Sequence, residues 1–218
     1  MMSRTTLVFA ACVLVSPGVY AQSPQTHEHA FGNATKWSKV FDDPKRDAWQ
    51  KPHEVIQALA LKPDAVVADI GAGTGYFAVR LEHMVPKGRV YAVDTEPDMV
   101  KHLAERAKTN GLQNLTAVAA TPDDARIPDK ADVVLLVDVY HHIDKRETYF
   151  RRLGDSLKPG GRIAIIDFTL DSTRGPPKAG RVAPERVKAE LKSAGYEIAQ
   201  EHAFLPDQYF IIFTPIRR

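Results

Sequence analysis

The chain has 218 residues, 44% of them hydrophobic, which suits one domain with a sizeable core. Lys and Arg (29) nearly balance Asp and Glu (27), and the net charge of +2 comes without a long basic run, so composition argues against a nucleic-acid surface. Cys12 is the only cysteine, which leaves no thiol elsewhere for a covalent intermediate.

Arg4, the unbroken apolar run 7–15, the breakers Ser16-Pro17-Gly18 and the small-residue site Val19-Tyr20-Ala21 read as a secretory signal peptide over residues 1–21. Nine apolar residues are less than half of the roughly 20 that a membrane span needs, so no permanent anchor is expected. Phe9-Ala10-Ala11-Cys12 offers a rival reading as a lipoprotein box, although the apolar run continues past the cysteine. Cleavage before Gln22 would remove Cys12 and suit an oxidising compartment. The expected location is outside the cytoplasm, the periplasm in a bacterium; without the signal it is cytoplasmic.

Residues 22–51 form a polar leader and a possible lid, and the domain proper is expected over 52–218. His27-Glu28-His29 has two metal-ligand types, but no third ligand is spaced to close a site, so none is assigned. Both tryptophans, Trp37 and Trp49, precede the first core strand. Pro52 fits the first position of a helix with Val55, Ile56, Leu59 and Ala60 on one face.

Residues 65–70 are apolar except at Asp69 and contain no turn residue, as in a parallel strand covered on both faces. The chain then breaks into Gly71-Ala72-Gly73-Thr74-Gly75 before a helix over 74–84. Glycines let a ligand approach the backbone, and the helix N-terminus directs amides at it, so the turn predicts a nucleotide-type pocket. The spacing is G-x-G-x-G, not the G-x-G-x-x-G of dinucleotide sites.

Asp69, Gly71, Gly73 and Gly75 resemble the D/E-x-G-x-G-x-G motif of the class I S-adenosylmethionine-dependent methyltransferases. The resemblance implies S-adenosylmethionine as cofactor and a three-layer αβα Rossmann-like fold, with a mostly parallel seven-stranded sheet and an antiparallel last strand. It also implies that the N-terminal segment covers the pocket, with Trp37 or Trp49 above the cofactor. Ordinary packing of an N-terminal helix explains the tryptophans equally well.

A strand over 89–93 ends at Asp94, 19 residues past Gly75, where a carboxylate accepts hydrogen bonds from ribose hydroxyls. Thr95 is grouped with it; the rival reading makes either residue a cap of the helix over 96–110. After a strand over 115–119 comes Thr121-Pro122-Asp123-Asp124. Family members often place an acid here against the adenine amine, which implies Asp123; a plain turn is the alternative.

A buried strand over 132–138 leads into Val139-Tyr140-His141-His142-Ile143. The carboxyl end of this strand faces the ligand crevice, so Asp138 and Tyr140 are expected at the cofactor, Tyr140 with its ring against the sulfonium. The resembling small-molecule enzymes often carry an aliphatic-His-His turn here. Histidine titrates in the neutral range and can take a proton from a hydroxyl or amine, which makes His141 or His142 the candidate base. The alternative has one histidine capping a helix and the other packing.

A helix over 145–157, the string L-K-P-G-G-R-I-A-I-I-D, a loop over 171–184, a helix over 184–194 and strands over 196–202 and 208–214 complete the chain. Arg174, Lys178 and Arg181 in the loop could attract an anionic substrate or be solvated charge. The terminal strand pair matches the resembling family and is lacking in a dehydrogenase half. The sequence therefore predicts methyl transfer to a small-molecule acceptor. A non-catalytic exported binding protein and a nicotinamide-dependent oxidoreductase are the alternatives.

Overall fold

A computed structural model describes residues 33–216, so the signal peptide expected over residues 1–21, the His27-Glu28-His29 cluster and Cys12 lie outside the described residues. Three helices come first: α1 (Ala34–Phe41), α2 (Asp47–Gln50) and α3 (Pro52–Ala58). Strands and helices then alternate: β1 (Val66–Ile70), α4 (Tyr76–Met84), β2 (Arg89–Asp94), α5 (Pro97–Thr109), β3 (Leu115–Ala119) and β4 (Ala131–Val137). The chain closes with α6 (Arg146–Leu153), β5 (Leu157–Phe168), α7 (Pro184–Ser193), β6 (Tyr196–His202) and β7 (Gln208–Pro215).

The seven strands form one sheet in the order β3-β2-β1-β4-β5-β7-β6. All neighbouring pairs are parallel except those that β7 makes with β5 and β6. This is the expected fold class, a three-layer αβα Rossmann-like domain. Alternate strand residues enter opposite cores. Val133, Leu135 and Val137 of β4 pack with α3, α4 and α5, whereas Val134 and Leu136 pack with α6 and α7. Since both faces are covered, the central strands read as continuous apolar runs. Strand order reverses between β1 and β4, and the crevice at their carboxyl ends is the natural ligand site.

Most expected boundaries agree within one or two residues, with one instructive exception. The helix expected over 145–157 stops at Leu153, a 3-10 turn covers Gly154–Ser156, and β5 already begins at Leu157. The Lys158-Pro159-Gly160-Gly161 stretch lies within the strand, at a register shift against Ala131 and Val133 of β4. Glycine is required there because a Cβ on Gly161 would sit 2.9 Å from the Ala131 carbonyl oxygen. Beside it, Asp132 accepts from the Val66 amide and the Lys158 ammonium, both at 2.7 Å, and ties the starts of β1, β4 and β5 together.

Two glycines far from the crevice test this packing. A Cβ on Gly88 would lie 2.0 Å from the Ala65 carbonyl oxygen, a backbone atom that cannot step aside. Gly111 has φ +67° but open space around it. Gly88→Ala should cost about 3 kcal/mol, and Gly111→Ala about 1 kcal/mol from the left-handed backbone alone. Urea unfolding of both variants checks the order, which would be reversed if the turn at Gly88 were loosely packed.

Candidate active site

The glycine turn is held from one side. The Gly71 and Ala72 amides donate to the Val93 carbonyl at 2.8 and 3.0 Å, and the Gly73 amide donates to Asp94 Oδ2 at 2.8 Å. Three successive amides are thus bound to the end of β2, with Gly71, Gly73 and Gly75 all at positive φ. Gly75 caps α4, which therefore starts at Tyr76 and not at Thr74. Gly71 is also sterically obligatory, since a Cβ there would stand 2.2 Å from a Val139 methyl. Thr74 is buried and its hydroxyl has no partner.

Four carboxylates gather at the carboxyl ends of four neighbouring strands: Asp69 on β1, Asp94 on β2, Asp138 just after β4 and Asp167 on β5. Asp69 is 3% exposed and its Oδ2 has no hydrogen-bond partner. Burial pushes its carboxyl up to about 7, with the Arg46 guanidinium opposing and Asp94 adding to the rise. Asp94 accepts from Gly73 and from the Glu96 amide at 2.9 Å, using one acceptor position on each oxygen and leaving others for ribose hydroxyls. Burial raises Asp94 as well, against the amides of Glu96, Gly73 and Thr95. Thr95 itself is exposed and acts here through its amide.

Asp138 adopts the left-handed backbone conformation at φ +60° and re-aims the chain into a 3-10 turn, Tyr140–His142. Its carboxyl accepts from Gln208 at 2.5 Å and from Arg46 at 3.4 Å. Burial raises this acid to about 7, opposed by Arg46 and reinforced by Asp167. The next device joins the turn to β5. His141 Nδ1 lies 2.8 and 2.9 Å from the two oxygens of Asp167, which also accepts from the backbone amides of His141 and Phe168 at 3.1 and 2.8 Å. A carboxylate can only accept, so Nδ1 carries the proton and Nε2 keeps its lone pair. Asp167 was not singled out by the sequence, where it reads as one more polar residue at a strand end. His142 is exposed and its ring lies against His141, 4.1 Å between centroids.

The N-terminal segment crosses this crevice. Phe41 packs over Gly73, Arg106 bridges Asp42 at 3.0 Å and the Thr74 carbonyl at 2.7 Å, and Asp47 accepts from the Tyr76 hydroxyl. Gln50, fully buried, donates to Gln208 at 2.7 Å. Neither tryptophan reaches the glycine turn: Trp37 stacks on Phe41 within α1, and Trp49 leans on Phe168. The residues that reach the crevice are Phe41, Arg46 and Gln50, which no helical periodicity marks.

One expectation is overturned. Tyr140 does not face the cofactor: its ring is fully buried between Phe150 (5.4 Å) and the Arg146 guanidinium (5.3 Å), and its hydroxyl donates to Glu190 at 2.6 Å. After the left-handed step at Asp138 the turn points Tyr140 into the α6–α7 core and leaves His141 at the crevice. Asp123 is exposed and lines a shallow hollow with Tyr149, Arg152 and Ser156; its side chain makes no hydrogen bond to the glycine turn. The loop cations are engaged locally, Arg181 on the carbonyls of Thr169, Leu170, Arg174, Pro176 and Ser172, Arg174 on Asp207 and Lys178 on Asp171.

Residues 68–163 match the family model described as a methyltransferase domain. A ubiquinone/menaquinone biosynthesis C-methyltransferase of Shewanella sediminis is 26% identical over 117 residues, 52% of this chain and 47% of that protein. An uncharacterized methyltransferase of Mycobacterium bovis is 32% identical over 121 residues, 55% of this chain and 59% of that protein. The chain thus spans about half the length of the Shewanella relative. Among solved structures, the crystal structure of a SAM-dependent methyltransferase from Aquifex aeolicus has TM-score 0.78 at 26% identity, covering 84% of this chain and 99% of that one.

Residues 68–163 are thus similar to a methyltransferase domain and the fold is similar to that of an S-adenosylmethionine-dependent methyltransferase, which makes S-adenosylmethionine the cofactor to test against these residues. The residues fit that molecule. The half-buried Gly71 and Gly73 place no Cβ between backbone and ligand, Asp94 has acceptors for the ribose, and the orphaned Asp69 oxygen suits an ammonium group. A cluster of acids is also the charge complement of a sulfonium.

These acids weaken the ligand-free fold. A carboxyl raised from 3.8 unfolded to about 7 folded costs almost nothing below pH 4, progressively more between pH 4 and 7, and a constant amount above that. Asp69→Asn should therefore stabilise the ligand-free protein at pH 8, by at most about 4 kcal/mol, and leave it unchanged at pH 4. Thermal melts at both pH values, with S-adenosylhomocysteine titration to record the accompanying loss of binding, check this.

Proposed function

We propose that this protein transfers the methyl group of S-adenosylmethionine to a hydroxyl or nitrogen of a small-molecule acceptor, with His141 as the base. The observation that carries the reading is the His141–Asp167 pair, buried to 7% and 1% side-chain exposure. A histidine that only packed or capped would not need both oxygens of a buried carboxylate. Held through Nδ1, the ring offers Nε2 for the acceptor proton, and Asp167 steadies the imidazolium that results.

Bound S-adenosylmethionine supplies a methyl group on a sulfonium, already provided with a good leaving group. The chain's remaining tasks are alignment and exclusion of water. The glycine turn and Asp94 fix one end of the pocket, and residues 34–50 cover it. A carbon or soft sulfur nucleophile would need no base, so the dyad favours oxygen or nitrogen.

Transfer of a labelled methyl group to a panel of phenols, alcohols and amines tests the reading. His141→Asn should lower kcat by about 10²–10⁴ while S-adenosylhomocysteine affinity stays within twofold, and Asp167→Asn should act in the same direction. The wild-type rate should fall as pH is lowered, because imidazolium cannot accept a proton, and this limb should vanish in His141→Asn. Unchanged kcat in that variant would remove the base and point to carbon or sulfur.

The proposal extends to location. Residues 1–21 have the order of an export signal, so intact-mass analysis of protein made in a bacterial host should find a periplasmic chain beginning at Gln22. A full-length cytoplasmic product would overturn the export reading without touching the chemistry.

A further inference from the structure

Arg46, between α1 and α2, is the cation that the N-terminal segment carries into the crevice. Its side chain is 14% exposed, and its guanidinium lies over the Tyr76 ring at 4.1 Å, at the first residue of the helix that follows the glycine turn. Its hydrogen bonds go mostly to neutral oxygens: Nε and Nη2 to Gln50 Oε1 at 3.2 and 3.1 Å, and Nη1 to the Phe41 carbonyl at 3.2 Å. Its one anionic contact, Asp138 Oδ2 at 3.4 Å, is long, and that carboxyl is shared with Gln208. Arg106 and Arg146 differ, holding their carboxylates at 3.0 Å on Asp42 and 2.6 Å on Glu190.

A guanidinium has five donors in a fork that matches a carboxylate. Arg46 spends its donors on carbonyl oxygens and one distant acid, in a site whose cofactor carries both an α-carboxylate and an α-ammonium. Four carboxylates already line the crevice and would repel a further one, so its carboxylate needs a cation close by. Gln50, anchored on Gln208, fixes the orientation of the guanidinium from behind.

We propose that Arg46 receives the α-carboxylate of S-adenosylmethionine, so that the covering segment is itself part of the cofactor site. Together with Asp69 at the ammonium, it forms a clamp for the amino-acid end of the molecule. The inference rests on the cofactor assignment above. The ligand would also give Arg46 a nearer and unshared counter-ion than Asp138 at 3.4 Å.

Calorimetric titration of the full chain with S-adenosylmethionine and with its decarboxylated form separates this from a mere latch. The unmodified protein should prefer S-adenosylmethionine by tenfold or more. In Arg46→Ala the preference should fall below twofold, chiefly through weaker binding of the carboxylated ligand, and Arg46→Lys should retain part of it. If Arg46→Ala weakens both ligands equally, so that the preference survives, Arg46 only latches the segment and the proposal fails. It fails too if the unmodified protein shows no preference. Absence of binding of either ligand to the unmodified protein would overturn the cofactor assignment itself. Circular-dichroism spectra of the variants at the titration temperature, expected to match the parent, exclude misfolding as the cause.

Discussion

The site depends on how closely the backbone after β1 approaches its neighbours. Three consecutive amides bond to the last two residues of β2, and Gly71 lies against Val139, so the glycine turn is fixed to β2 on one side and to the turn after β4 on the other. No side chain could occupy that seam. The same geometry therefore sets the distance between the glycine turn and the histidine turn.

Electrostatics then divides the crevice by function. Asp94 is spent in part on backbone amides and so holds the glycine turn to the end of β2. Asp167 is spent on His141 and two amides, which makes it a positioning group. Asp69 and Asp138 lack a full counter-charge, and burial lifts both toward neutrality. Such acids destabilise the empty fold and favour a bound cation, a common relation between stability and function at ligand sites. The N-terminal segment answers part of this charge with Arg46.

The fold was legible because its information is local and repeated. Apolar runs for parallel strands, the G-x-G-x-G turn, Pro at helix starts and the 3.6-residue pattern on α5 each report an element without knowledge of its neighbours. The glycine turn and the acid at the end of β2 were legible for the same reason, since a motif at fixed spacing carries its own geometry. Failures occurred where one backbone torsion changes the outcome. Asp138 in the left-handed region rotates the following turn, sending Tyr140 into the core and keeping His141 at the crevice. The register shift at Ala131 likewise drew Lys158 to Gly161 into β5.

What the sequence by itself determined is the class: a parallel α/β sheet, a nucleotide-type turn and a histidine pair at a strand end. What only the tertiary structure decided is partnership. Asp167 joins His141 from 26 positions away, Gln208 joins Asp138 from 70, and Arg46 reaches Asp138 from 92. Periodicity records which face of an element is apolar, but such polar contacts are set by strand order and by the path of the covering segment. They exist only once the chain has closed on itself.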